Sequence, residues 1–527
     1  MQKPASFHYE LVKQKCSLTL VEYVISSEFM KPIGFPVWPC LPLLVLTLNG
    51  CAVGPHYRHP AAPDVPLTST PLPDTTARAA GQSQRFMPGA DIPGDWWHLF
   101  KSSQLDGLIA NALRNNPNLA AAQATLLEAE ENFRAAQGAL LPTFSGSLGA
   151  QRDKGSSAGL AAFGGKGTAP LPAYTLYNAS LSISYSLDIF GGQRRQIENI
   201  AAQAEYERWE LEAAYLTLTS NIVTAAVNEA SRNAQIDATQ KLVADERQLL
   251  AILQTQTRLG GAAPTQVLQQ QATLAQQEAT LPPMESQLAQ AQNQLAAYAG
   301  QFPGNFHLQS FTLADLSLPK NIPVSLPSAI VAQRPDIAAA AAQLHEASAN
   351  VGVADANMLP QVKLSAEIGR EALTPGTLFA PSTLLWNLVA GITQPIFEGG
   401  TLAAQRKSAI AALQVAGAQY QSTVISAFQN VADALSALQY DAHTLSAAQA
   451  ARVAAGKSLR VTEAQYQLGG QPFSAVLTAE VTYQNAVVAA VKARAARLSD
   501  TAALYQALGG GWWHRQDVTV KCCGVIP

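Results

Sequence analysis

From Tyr177 to Ile189 the chain alternates without a break: Tyr177, Ala179, Leu181, Ile183, Tyr185, Leu187 and Ile189 are apolar, and Asn178, Ser180, Ser182, Ser184, Ser186 and Asp188 lie between them. A period of two places the first set on one face of a β-strand and the second on the other. An apolar face backed by a serine-rich one suits a barrel strand with lipid outside and water inside. Thr143 to Arg152 alternates more weakly and is the expected hairpin partner, reached through the Gly-, Ala- and Pro-rich stretch Gly155 to Pro172. The period then changes. From Gln193 to Leu259 there is neither proline nor glycine, with Gly191-Gly192 before and Gly260-Gly261 after. One helix of that length would run about 100 Å, so it needs similar helices along its side. Thr401 to Leu468, interrupted only by Gly417 and Gly456, supplies one. Val424, Phe428, Val431, Leu435, Leu438, Ala442 and Leu445 there step by fours and threes, a heptad seam. The first long stretch carries two stripes, Leu211, Tyr215, Leu218, Ile222 and, offset, Leu216, Val223, Val227. Two seams mean neighbours on both sides, as in a closed tube of helices. A solvated coiled-coil filament would share the seams but not the strands.

The order of elements recurs. Asn116-Pro117-Asn118 matches Arg334-Pro335-Asp336, and Leu141-Pro142 matches Leu359-Pro360 at the same separation. Ile189-Phe190-Gly191-Gly192 matches Ile396-Phe397-Glu398-Gly399-Gly400, and Leu259-Gly260-Gly261 matches Leu468-Gly469-Gly470, with Pro264 near Pro472. Self-similarity of this kind marks a repeated structural unit. Repeat 1 spans 103–300, with one helix from Ser103 to Gly138, a β-hairpin over 143–190, the long helix 193–259 and a helix over 264–300. Repeat 2 spans 335–508, with a helix, a hairpin over 361–397, the long helix 401–468 and a helix over 472–508. The proline-rich segment 301–334 links them and contributes a small side domain. Residues 51–102, rich in proline, read as an extended tether, and 509–527 as the C-terminal tail, dispensable after Trp512-Trp513. Four strands per chain cannot close a barrel, for which about eight is the usual minimum, and open edges are not tolerated in a bilayer. At least two copies must therefore share one barrel.

Composition narrows the class. Only 13% of residues are charged and the net charge is −3, which gives no basis for binding nucleic acid. No apolar run is long enough for a membrane-spanning helix. Lys31, the apolar stretch Leu41 to Leu48 and the small residues before Cys51 read as an export signal in 1–50, with Met30 as the expected true start. Leu48-Asn49-Gly50-Cys51 resembles a bacterial lipobox, so Cys51 is the expected lipidation site. Cleavage there leaves Cys522 and Cys523, adjacent and without a second ligand pair. His56 and His59 sit between Pro55 and Pro60, which deny them a shared helix face for a metal. No phosphate-binding loop or nucleophile constellation occurs, so an enzyme is not expected, and no cofactor or metal site is expected beyond the lipid groups.

These segments together resemble a TolC-type outer membrane factor, of the NodT-type lipoprotein branch that serves resistance-nodulation-division pumps. The residues carrying the resemblance are Cys51-Ala-Val-Gly-Pro-His-Tyr-Arg-His-Pro60, Trp96-Trp97, Leu105-Asp106 with Leu108, Pro117 with Leu119, Leu141-Pro142, Leu187 to Gly192, Arg334-Pro335-Asp336, Gln394 to Gly400 and Ala507 to Trp512. The resemblance implies an α+β membrane protein. It is a homotrimer whose twelve-stranded outer-membrane β-barrel continues as a long periplasmic α-helical barrel, with an internal two-fold repeat. It also implies N-palmitoyl and S-diacylglycerol groups on Cys51. The turns at Gly260, Gly261, Pro264 and at Gly469, Gly470, Pro472 are then the periplasmic tips, where a membrane-fusion adaptor docks and an inner-membrane proton-driven pump supplies the energy. The family's gate positions fall at Ser474, Thr478 and Val481, none of which carries the usual residue. Glu480, the nearest acid, is either a substitute ring or an ordinary solvated helix residue. The expected function is a passive exit duct for drugs or other small toxic compounds. A type I protein secretion duct and a non-transporting envelope scaffold are the rivals.

Overall fold

The computed structural model describes residues 52–63, 65–68, 71–154, 173–307 and 309–515, all within the unit Gly50–Pro527. Cys51, the stretch 155–172, and Cys522 and Cys523 lie outside the described residues. In chain order the elements are β1 (Arg85–Pro88), α1 (Ser103–Asn115), α2 (Pro117–Gln137), β2 (Thr143–Asp153), β3 (Tyr174–Leu187), α3 (Gly192–Arg258), α4 (Pro264–Glu278) and α5 (Leu281–Tyr298). There follow β4 (Asn321–Val324), α6 (Pro327–Gln333), α7 (Pro335–Ala356), β5 (Gln361–Ala372), β6 (Leu384–Thr393), α8 (Thr401–Gln467) and α9 (Phe473–Ala507).

The two long helices have 67 residues each, about 100 Å at ~1.5 Å per residue. α3 packs against α7 and α2 and, farther along, against α5, α4 and α9, while α8 packs against α9 and α7. On α8, Val424, Val431, Leu435, Leu438, Ala442 and Leu445 are all buried, with Phe428 packed on the same core. The start of α3 is fixed by Asp188. Its carboxylate accepts the Gln193 and Arg194 backbone N–H groups at 2.9 Å each and the Arg194 side chain at 3.1 Å, an acid at the positive end of the helix dipole.

The main core lies where the middle of the long helices meets the N-terminal segment. Trp96, Phe100, Leu105, Ile109, Ile222, Phe311, Leu435 and Tyr505 are buried together, and Trp96 stacks on Tyr505 with ring centroids 5.3 Å apart. Beside it β1 pairs in parallel with β4. Arg497, 1% exposed, donates to Gln84 Oε1 and Thr76 Oγ1 at 3.0 Å and ties this segment to α9.

Three expectations need correction. The single helix over 103–138 is two, broken at Asn116. The Asn116 side chain caps α2 by accepting from Asn118 N at 2.9 Å and Leu119 N at 3.1 Å, and Pro117 takes the first helical position, where its missing N–H costs nothing. The helix over 264–300 is likewise divided at Ala279–Thr280, just before Pro282 and Pro283. Residues 509–515 are not a loose tail. Trp512 Nε1 donates to Gln333 O at 2.7 Å, Trp513 Nε1 donates to Asp91 at 3.0 Å, and Arg515 lies 3.3 Å over the Tyr215 ring while pairing with Glu212.

Candidate functional site

The candidate site has two ends, a β-sheet and a pair of helical turns, joined by the long helices α3 and α8. At one end β2, β3, β5 and β6 form a four-stranded antiparallel sheet in that order. Directly opposed residues share a face, so the register sorts the side chains. Ser145, Ser182, Glu367 and Asn387 fall in one row, and Ser147 pairs with Ser180 in the next. Ser145 and Ser182 hydroxyls are 2.7 Å apart, those of Ser147 and Ser180 2.8 Å, and Asn387 Nδ2 donates to Glu367 at 3.1 Å. On the other face Gly146, Leu181, Ile368 and Trp386 align, next to Phe144, Ile183, Ala366 and Leu388. Trp386 and Leu388 are 73% and 74% exposed, so this is an apolar sheet face that the chain itself leaves uncovered. The strands are 10 to 14 residues long, enough to cross the ~30 Å apolar core of a bilayer. Among the described residues β2 and β6 are paired on one side only. No helix among the described residues is long and apolar enough to cross a membrane.

The segment following Cys51 meets the foot of this sheet. Val53 N donates to Phe190 O at 3.1 Å, and a side chain on Gly191 would strike Ala52. Arg195, 3% exposed, donates to Val53 O at 2.9 Å and pairs with Glu198 at 2.7 Å; Glu198 also takes a 2.8 Å contact from His345, on which Tyr57 stacks. Burial opposes the Glu198 charge, but His345 and Arg195 outweigh it and hold the carboxyl below its ordinary value. The extended tether is thus seated on α3 and α7. His56 reaches Arg195, and His59 meets Tyr420 edge-on. Among the described residues no cluster of His, Cys, Asp or Glu could hold a metal ion.

At the far end the long helices turn. Gly260 and Gly469 have φ of +78° and +75°, a left-handed conformation that ends a helix and favours glycine. Gly261 N then bonds Gln256 O at 2.7 Å and Gly470 N bonds Gln465 O at 2.8 Å, the same closure twice. Pro264 starts α4 and Pro472 caps α9. Leu259 and Leu468 stand on the turns 82% and 87% exposed. Between the turns Leu253, Phe473 and Val476 form a small core, and Tyr466 Oη bonds Gln256 at 2.9 Å.

Of the gate positions, Ser474, Thr478 and Val481 are exposed on α9. Glu480 is not: at 6% exposure it is buried rather than solvated, with Glu246 of α3 among the charges nearest to it. The sequence reading missed Glu246. The signal was available, since Val243, Glu246 and Leu253 lie on one helical stripe and only the middle residue is charged.

The outer membrane efflux protein family model matches residues 108–301 and 326–510. The chain is 31% identical over 459 residues to the pyoverdine export outer membrane protein OpmQ of Pseudomonas aeruginosa, covering 84% of this chain and 94% of that protein. It is 28% identical over 485 residues to the cation efflux system protein CusC of Escherichia coli K12, covering 90% and 100% respectively. Among solved structures, the open state of the Neisseria gonorrhoeae MtrE outer membrane channel superposes with a TM-score of 0.74 at 27% identity, over 88% of this chain and 99% of that one.

Proposed function

The chain belongs to the outer membrane efflux protein family, and from that premise we propose that it is the exit duct of a tripartite efflux system. It passively conducts drugs or other small toxic compounds from periplasm to exterior. The observation that carries this reading is the two-faced, four-stranded sheet with both edges unpaired, joined directly to helices of 67 residues. Unpaired edges inside a bilayer must find partners. Three copies, edge β6 against edge β2, close a twelve-stranded barrel with the serine rows inward and Trp386, Leu388 and Ile392 outward. The long helices of three copies then close a tunnel ending at the two glycine turns. There an adaptor docks, and beyond it an inner-membrane proton-driven pump supplies the energy. Cys51 carries the lipid anchor, because Ala52 and Val53 are already seated at the foot of the sheet, where acyl chains on residue 51 enter the inner leaflet.

Deleting the chain in a cell that retains the cognate pump and adaptor should raise accumulation of a fluorescent pump substrate at least several-fold, and re-expression should reverse it. Accumulation unchanged by the deletion contradicts the reading. Labelling with a palmitate analogue tests the anchor, and an unlabelled wild-type chain overturns it.

A further inference from the structure

Thirteen to fourteen residues of helix above the turns, measured on α3, a layer of oxygen atoms lies between the two hairpins with no donor among the described residues to meet it. Glu246 on α3 is 0% exposed, and neither of its carboxylate oxygens has a hydrogen-bond partner. Glu480 on α9 is 6% exposed, and its Oε2 has none. The third member is not an acid: Gln270 on α4, also 0% exposed, spends its Nε2 on the Glu246 backbone carbonyl at 3.1 Å, and its Oε1 is left without a donor. The charges facing the pair are Asp245 of α3, Glu278 of α4 and Glu463 of α8, all acidic. The nearby Arg247 is engaged 2.7 Å from Glu278. Two buried carboxylates with neither a cation nor a donor, among further acids, cannot both remain ionised without a large cost. A metal is not the ligand that resolves this, since no group of the described residues could hold one; a proton on each carboxyl supplies the missing donors.

We propose that Glu246 and Glu480 form a proton-operated latch, which holds the α8–α9 turn against the α3–α4 turn while the carboxyls are protonated and loosens the tip as they ionise. The latch joins the hairpins one layer above the Leu253–Phe473–Val476 core and the Tyr466–Gln256 bond, so its charge state sets how firmly the last turns pack. Both carboxyls are covered within the chain, whereas Ser474, Thr478 and Val481 are exposed. Burial, and then the neighbouring acids, push the Glu480 carboxyl up to about 8 and the Glu246 carboxyl up to about 7. The latch is therefore closed in mildly acidic surroundings and open in mildly alkaline ones.

This proposal rests on the turns being the periplasmic mouth of the duct, yet it can be tested without conduction. Hydrogen exchange is measured on the purified full-length chain at pH values of about 6 and 8.5, each peptide normalised to its intrinsic rate at that pH. Wild-type peptides covering 246–278 and 456–484 should exchange about tenfold faster at the higher pH, while those around Trp96 and Tyr505 should not change. The E246Q/E480Q variant should stay slow at both. A wild type with no pH-dependent change at the tip, or a double variant that keeps the wild-type rise, overturns the latch. If the double variant does not fold, E480Q alone should lose a substantial part of the rise, and a rise equal to wild type overturns the proposal equally. A protected, pH-sensitive tip in a chain that fails to conduct would count against the duct reading and leave the latch standing.

Discussion

Glu480 and Glu246 carry the clearest consequence of a single side chain. Both carboxyls are raised above the ordinary 4.5, to about 8 and about 7. The folded chain therefore keeps protons that the unfolded chain has released. Stability from the pair is fully present below about 4.5 and is lost as pH rises through 7 to 8, with nothing further lost above. Thermal unfolding followed from pH 5 to 9 should show the midpoint of the tip falling across that window, and the fall should be smaller in E480Q. Glycine at the turns has a different logic. Gly469→Val places a β-branched residue at φ of +75°, a conformation costing about 1–2 kcal/mol even for an ordinary residue, while no atom lies within 4 Å to clash with a new Cβ. The variant should fold with a lowered melting point, and Gly469→Asn should recover part of the loss because asparagine tolerates the left-handed region.

For the elements, the seam on α8 and the capping of α2 make separate predictions. Leu435→Ala removes a side chain of 0% exposure from the central core and should cost about 2–5 kcal/mol by denaturant melt. Asn116→Ala removes the cap of α2 and should cost about 1 kcal/mol. Strands were the most legible elements in the sequence, because the Ser-alternating run leaves only one way to sort its side chains. The long helices were nearly as plain, bracketed by Gly191-Gly192 and Gly260-Gly261. The break at Asn116 was missed although an Asn-Pro pair marks it, because helical residues continue on both sides. The β1–β4 pairing was out of reach: Arg85–Pro88 and Asn321–Val324 are short, each holds a proline, and neither alternates. The inward turn of Glu480 was hidden for another reason. Which face of α9 is covered depends on α3, and no local pattern in α9 reports the carboxylate waiting there.

At the scale of the whole molecule, the uncovered apolar sheet face and the two sheet edges without partners among the described residues are what the proposed closed duct would satisfy by assembly of several copies. Leu388→Arg puts a charge on the exposed apolar face and should weaken membrane insertion by about 2–4 kcal/mol if it lies near the bilayer midplane, read as a loss from the outer-membrane fraction with the helices intact by circular dichroism. Single-channel conductance of the purified chain in a planar lipid bilayer separates a duct from a scaffold. Discrete conductance steps are expected, rising in frequency as the pH on the tip side is raised. A bilayer that incorporates the protein yet shows no conductance at any pH would contradict the duct and favour a scaffold that joins envelope layers without passing anything through.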